Sequence, residues 1–161
     1  MKQSLGIWLE RKKMKHYVMG FVFSSKRDKV LLVKKKRPEW QAGKWNAIGG
    51  KIEDSDKSPL EAMQRENEEE TGMRLNWEHC VTFVCPGGTV FVYRAIDNLN
   101  CSHERFCNEI HYKQIEDELL QTFDLDKLPA MIDSDLKWLL AVCLSTIKFP
   151  LCVHQNTLGE E

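Results

Sequence analysis

An α/β domain is the fold class this sequence predicts, on three observations. Runs rich in β-branched and aromatic residues recur at 16–23, 30–36, 77–84 and 89–96, with turn residues between them. The stretch 59–71 carries helix punctuation at both ends. A second stretch, 132–147, repeats apolar residues at the spacing of a helix packed on one side.

Taken in order, runs 16–23 and 30–36 pair across the turn Ser24-Ser25-Lys26-Arg27-Asp28. Residues 37–44 form a loop broken by Pro38 and Gly43, and 45–48 form a short strand leading into Gly49 and Gly50. Pro59 opens the first helix well, with Ser58 as N-cap and Glu61 in the first turn; Gly72 stops it after Thr71. Strands 77–84 and 89–96 flank Pro86-Gly87-Gly88 as a hairpin. A polar loop, 97–108, precedes two more strands at 109–115 and 120–124. The last helix turns Leu136, Leu139, Leu140, Cys143 and Leu144 inward, and Trp138 reads as core. Residues 1–13 read as an extension, with Met14 as an alternative start, 14–150 as the domain and 151–161 as a loose tail.

Composition narrows the function. The chain has 161 residues, room for one domain with a real core. Its net charge of −1 shows no single-sign field, which argues against binding to polymeric nucleic acid. No apolar run reaches the length of a membrane span, and no signal core opens the chain. Six cysteines are present without a Cys-x-x-Cys pair, and several sit in apolar runs where a thiol packs as a small hydrophobe. Cys101, His103 and Cys107 lack the second half of a zinc site. A reducing cytoplasm without disulfides fits these cysteines.

The chemistry concentrates in the helix 59–71. At about 100° per residue, Glu66 and Glu70 lie about 40° apart, with Glu69 about 60° to the other side of Glu66. Three carboxylates on one face repel one another, and a hard divalent cation such as Mg²⁺ compensates them while also taking phosphate oxygens. Gly49-Gly50-Lys51, directly upstream, lets backbone approach an anion closely. Asp54-Ser55-Asp56 is no calcium loop, because Pro59 stands at the required glycine and Arg65 at the terminal glutamate.

These residues resemble the signature of the Nudix hydrolases. The second half matches as Arg65, Glu66, Glu69, Glu70, Gly72 and Met73, and the first half begins at Gly50. Two positions depart from the pattern. The first glutamate of the signature falls at Lys57, with Asp56 the nearest acidic substitute, and one extra residue separates it from Gly50. An apolar position is Asn67, on the stripe of Leu60 and Met63 that faces the core, so its amide needs a partner there.

The resemblance implies an α/β/α sandwich with a mixed β-sheet and a catalytic loop-helix-loop. It implies Mg²⁺, with Mn²⁺ as an alternative, held by Glu66, Glu69 and Glu70 with the Gly49 carbonyl. The general base is then Glu69 or Glu118, the latter five residues before Phe123, where related proteins place an acidic residue facing the metal helix. Arg65 pairs with an acidic side chain and orients the loop. Lys51 and Lys35 are the expected phosphate contacts. The run GKWNAIGGK, with Asn46, is similar to the MutT-like branch, which cleaves purine nucleoside triphosphates, including oxidised ones, and the segment MIDSDLKW, with Asp135, resembles the start of the last helix there; the resemblance makes Asn46 and Asp135 the base-reading pair. The reaction implied gives a nucleoside monophosphate and pyrophosphate. ADP-ribose, dinucleoside polyphosphates and sugar nucleotides are the rival substrates, and a Nudix protein that binds a nucleotide without cutting it is the rival class. The oligomeric state stays open.

Overall fold

Alternation of apolar residues along the strands builds a sheet with two covered faces. The computed structural model describes residues 14–85, 87–97, 118–132 and 134–145, and the backbone of 151–154. Strands β1 (Lys15–Ser24) and β2 (Lys29–Lys34) pair antiparallel. β3 (Trp45–Asn46) and β6 (Leu119–Asp124) both pair antiparallel with β2. β4 (Glu78–Cys85) and β5 (Gly88–Asp97) form the hairpin, and β5 lies parallel to β1 along its whole length. β7 (Leu151–His154) runs parallel to β4 at the edge. The sheet is therefore mixed, in the order β3-β2-β1-β5-β4-β7, with β6 against β2.

Period-two alternation sends Val18, Val22, Leu31 and Val33 to one face and Phe21, Phe23, Val30 and Leu32 to the other. Helix α1 (Pro59–Thr71) covers the first face with Ala62 and Met63. Helix α2 (Ser134–Leu144) covers the second with Leu136, Leu139, Leu140 and Cys143. Trp138 packs against that second cluster and lies 5.6 Å from the Phe83 ring, as a core residue does. The result is the α/β/α sandwich expected.

Several bounds differ from the expectation, each for a local reason. The last helix begins at Ser134, because Met131 and Ile132 are drawn to the sheet: Trp45 N donates to the Met131 carbonyl at 2.9 Å, and Ile132 bridges Trp45. Leu60 does not join the core stripe and is 39% exposed; it lies in the first turn, N-terminal to the buried Ala62 and Met63. The tail expected to be loose from 151 instead supplies β7, whose backbone pairs with an otherwise open edge of β4. The strand expected at 109–115 lies outside the described residues.

Asn67 finds its partners at the end of α1. Its Nδ2 donates to the Met73 carbonyl at 2.7 Å, and the Thr71 hydroxyl lies 3.2 Å from its Oδ1. The amide thus ties the last helical turn to the chain beyond Gly72. Replacing Asn67 with Ala takes the side-chain donor from the Met73 carbonyl, while the Thr71 hydroxyl keeps its 2.7 Å bond to the Asn67 backbone carbonyl; a cost of about 1–2 kcal/mol is expected, measured by urea unfolding.

Candidate active site

The loop 48–52 is held along β1 by a ladder of backbone bonds. Gly20 N donates to the Ile48 carbonyl at 2.7 Å, Val18 N to the Gly50 carbonyl at 2.9 Å, and Ile52 N to the His16 carbonyl at 2.9 Å. Gly49 adopts φ 146°, and a Cβ there would overlap the Val18 carbonyl oxygen. A Cβ on Gly50 would sit 2.5 Å from the Glu66 carboxylate. Gly49 therefore lets the loop lie against β1, and Gly50 lets its backbone lie directly against the acidic helix.

Helix α1 is fixed by its ends. Ser58 Oγ accepts from Glu61 N at 3.1 Å, and Gly72 closes the helix in a left-handed conformation. Glu66 follows the buried Ala62 by four residues, and Glu70 follows the buried Met63 by seven, so both carboxylates share the inward side of the helix. Glu69 points away and its side chain is 47% exposed, against 8% for Glu70.

Burial makes Glu66 and Glu70 hard to ionise. Desolvation pushes Glu70 up to about 7, opposed by the Lys35 ammonium beside it. Desolvation likewise raises Glu66, opposed by Arg65. Two cations supply the compensation. Lys35 Nζ lies 2.6 Å from Glu70 Oε1 and 3.2 Å from Glu118 Oε2. Burial by itself disfavours the Lys35 charge, but Glu70 and Glu118 outweigh it and its pKa is raised. Lys36 N donates to Glu118 Oε1 at 3.1 Å, which fixes that carboxylate at the start of β6. Arg65 Nη1 lies 2.8 Å from Glu66 Oε1 and 3.2 Å from Glu69 Oε2.

Arg65 also anchors the loop. Its Nε and Nη2 donate to the two Asp56 oxygens at 3.0 and 2.9 Å, a bidentate pair, and Nη2 donates to the Lys51 carbonyl at 3.1 Å. Hydrogen bonds from Arg65 hold the Asp56 carboxyl below its ordinary range. Asp56 Oδ2 in turn accepts from Glu53 N at 2.8 Å. Asp56 thus supplies the carboxylate that Lys57 lacks, one residue earlier.

The structure brings Lys35, Arg65, Glu66, Glu70 and Glu118 together at the inward side of α1, with Glu69 at its exposed edge against Arg65 and Gly49 in the adjoining loop against β1. Lys35 reaches carboxylates here, whereas a phosphate contact was expected of it. Lys51 is exposed. Asn46 is 7% exposed on β3, and its Oδ1 accepts from Ala47 N at 2.8 Å. Asp135 is exposed in the first turn of α2, on the other face of the sheet from α1. Sequence reasoning missed the Lys35 bridge, because its three members are far apart in the chain.

Among the described residues, no three His, Cys, Asp or Glu side chains gather tightly enough to coordinate one ion as they stand. The carboxylate oxygens are instead engaged by cations of the chain, Lys35 with Glu70 and Glu118 and Arg65 with Glu66 and Glu69. The donor set still fits a hard divalent cation: it is all oxygen, and Glu70 Oε2 is buried without a hydrogen-bond partner.

The NUDIX domain family model matches residues 14–132, most of the chain. The chain belongs to the Nudix family. Its enzyme class is that of a Nudix pyrophosphohydrolase. Solved structures with the same fold include the mutator protein MutT of Bacillus halodurans, at 26% identity and TM-score 0.61 over 87% of this chain and 89% of that one. An ADP-ribose pyrophosphatase of Streptococcus suis matches at 18% identity and TM-score 0.61 over 88% and 99%. The NUDIX domain of Shewanella oneidensis NrtR, solved with ADP ribose, matches at 19% identity and TM-score 0.62 over 81% and 86%. No protein of curated function matches the Nudix chain in sequence. Among the described residues no helix is long and apolar enough to cross a membrane.

The burial of Glu70 has a consequence for the metal-free Nudix protein. Its ordinary pKa of 4.5 rises to about 7 in the folded state. Between those values the native state keeps a proton that the unfolded chain releases, so stability falls as pH rises through this window and levels off above it. In chelator, this group is expected to remove up to about 3 kcal/mol between pH 4.5 and 7.5. Urea unfolding at a series of pH values checks it, and Glu70→Gln should flatten the slope.

Proposed function

We propose that this Nudix enzyme is a Mg²⁺-dependent nucleotide pyrophosphohydrolase, with Mn²⁺ able to substitute. Its substrate on this reading is a purine nucleoside triphosphate, standard or oxidised, cut to the monophosphate and pyrophosphate. The observation that carries the metal site is the partnerless Glu70 Oε2, buried on the helix side where Gly50 meets Glu66. Glu66, Glu69, Glu70 and the Gly49 carbonyl would hold the ion. When bound, it neutralises phosphate charge and acidifies water.

The remaining roles fall to the chain itself. Arg65, clamped by Asp56, keeps the glycine loop against α1. Lys35 holds Glu118 close to Glu70. Glu118 accepts two donors and, as a carboxylate, retains lone pairs for a proton from water; Glu69 is the other candidate base. Lys51 is the phosphate contact. Asn46 and Asp135 remain the proposed base readers. The Asn46 Oδ1 is engaged with Ala47 N, so its amino end would meet a base acceptor.

The test is a hydrolysis panel with Mg²⁺, covering standard and oxidised nucleoside triphosphates, ADP-ribose, dinucleoside polyphosphates and sugar nucleotides, with products resolved by chromatography. Pyrophosphate plus monophosphate from one purine triphosphate supports the reading. Cleavage of a diphosphate-linked compound keeps the metal site and removes the base readers. Binding without turnover, with Mn²⁺ also tried, turns the assignment to a non-hydrolytic nucleotide-binding protein.

A further inference from the structure

On the face of the sheet opposite the acidic helix, β4 carries a bulge. His79 pairs with Tyr93 and Val81 with Val92, so Cys80 is an extra residue in the strand. In a regular strand Cys80 and Val81 would point to opposite faces. Here Val81 lies in the α2 cluster and Cys80 packs against that same cluster. His79 turns the other way, with its ring 5.4 Å from Tyr93. The bulge thus aims Cys80 at helix α2, where Cys143 is fully buried.

The two thiols share that cluster, and each shifts the ionisation of the other; the Cys80 S–H donates to the Glu78 carbonyl of its own strand at 3.6 Å. A buried cation stands beside them. Arg94 donates through Nη1 to the Cys143 carbonyl at 2.7 Å and the Ser145 carbonyl at 2.8 Å, and through Nε to Glu78 at 3.0 Å. The guanidinium thereby caps the C-terminal end of α2 and lends positive potential to the thiol pair. The neighbouring Cys143 thiol, helped by Arg94, lowers the Cys80 pKa below its ordinary value, while Cys80 and burial raise that of Cys143. Cys80 is half-buried, so an oxidant meets it before Cys143.

We propose that Cys80 and Cys143 are an oxidisable pair, in which a small peroxide attacks at Cys80 and Cys143 closes the product to a disulfide joining β4 to α2. In the first step the Cys80 thiolate takes one peroxide oxygen. The O–O bond breaks, an S–O bond forms, and hydroxide leaves; sulfur is oxidised by two electrons and the peroxide reduced. In the second step the Cys143 sulfur attacks the Cys80 sulfur. The S–O bond breaks, an S–S bond forms, and the Cys143 proton departs with the hydroxyl as water. The bulge, with its interrupted pairing to β5, is the element that would shift to bring the sulfurs to bonding distance.

The test uses the full chain carrying Cys85→Ser, so that the tryptic peptide 75–94 holds Cys80 alone; peptide 138–148 holds Cys143. After hydrogen peroxide and alkylation of free thiols, digestion without reductant should yield these two peptides joined, lighter than their sum by two hydrogens, and separable by reductant. In a further variant with Cys143→Ser the reaction should stop at the sulfenic acid. Trapping of Cys80 by a 1,3-diketone should then rise at least about ten-fold. Should the serine variant fail to fold, the joined peptide still decides. Recovery of both peptides alkylated after peroxide would overturn the proposal, as would Cys80 joined to any other cysteine, Cys152 included.

Discussion

Replacing Glu69 with Gln is expected to lower turnover by at least about two orders of magnitude while the protein stays folded. The substitution keeps shape and removes one charge. Its structural cost is small, because the Glu69 side chain is 47% exposed and its contact with Arg65 is a 3.2 Å pair on one helix face. Its chemical cost is large on the proposed reading, where Glu69 donates an oxygen to the metal and is one of two candidate bases. Glu118→Gln separates those roles. If Glu118 is the base, its loss flattens the pH–rate profile without changing the Mg²⁺ concentration needed for half activity. If Glu69 is the base and a ligand, Glu69→Gln changes both. Near-normal turnover in Glu69→Gln, with circular dichroism unchanged, would sink the metal-site assignment.

The acidic helix was legible because its signals are local. Pro59, Ser58 and Gly72 mark its ends, and the spacing of Glu66, Glu69 and Glu70 needs nothing beyond the helical period. The strands followed from the runs of β-formers and the inner face of α2 from its spacing, whereas the mixing of parallel and antiparallel pairs was implied only by the Nudix resemblance. What stayed hidden depends on contacts between distant positions. Lys35 reads as one of four consecutive cations, and only the pairing of β2 with β6 sets it between Glu70 and Glu118. The bulge at Cys80 leaves no mark in the alternation of 77–84, since it is defined by the register of the partner strand. β7 was missed for a related reason: four residues without a turn signal read as tail until an open edge is present to receive them.

The second large effect is expected at Asp56. Asp56→Ala removes both acceptors of the bidentate pair and leaves the Arg65 fork facing only Glu66, Glu69 and the Lys51 carbonyl. The Asp56 side chain is 4% exposed, so the pair is shielded from water and its loss costs more than that of a surface ion pair. Arg65 is about one-quarter exposed, at 27%, which keeps the penalty below that of a fully buried charge. A loss of about 2–3 kcal/mol in urea unfolding is expected. The loop should suffer further, because Asp56 also accepts from Glu53 N and so closes the turn that carries the chain from the glycines to α1. On the proposed reading, in which the loop positions reacting groups and Lys51 is the phosphate contact, activity should fall through kcat more than through KM. The shifted acid offers a rescue. If a carboxylate at the neighbouring position can serve Arg65, Lys57→Glu added to Asp56→Ala should restore part of both stability and turnover. Full stability in Asp56→Ala alone would show that Arg65 is held by α1 and not by the loop, and would remove Asp56 from the site.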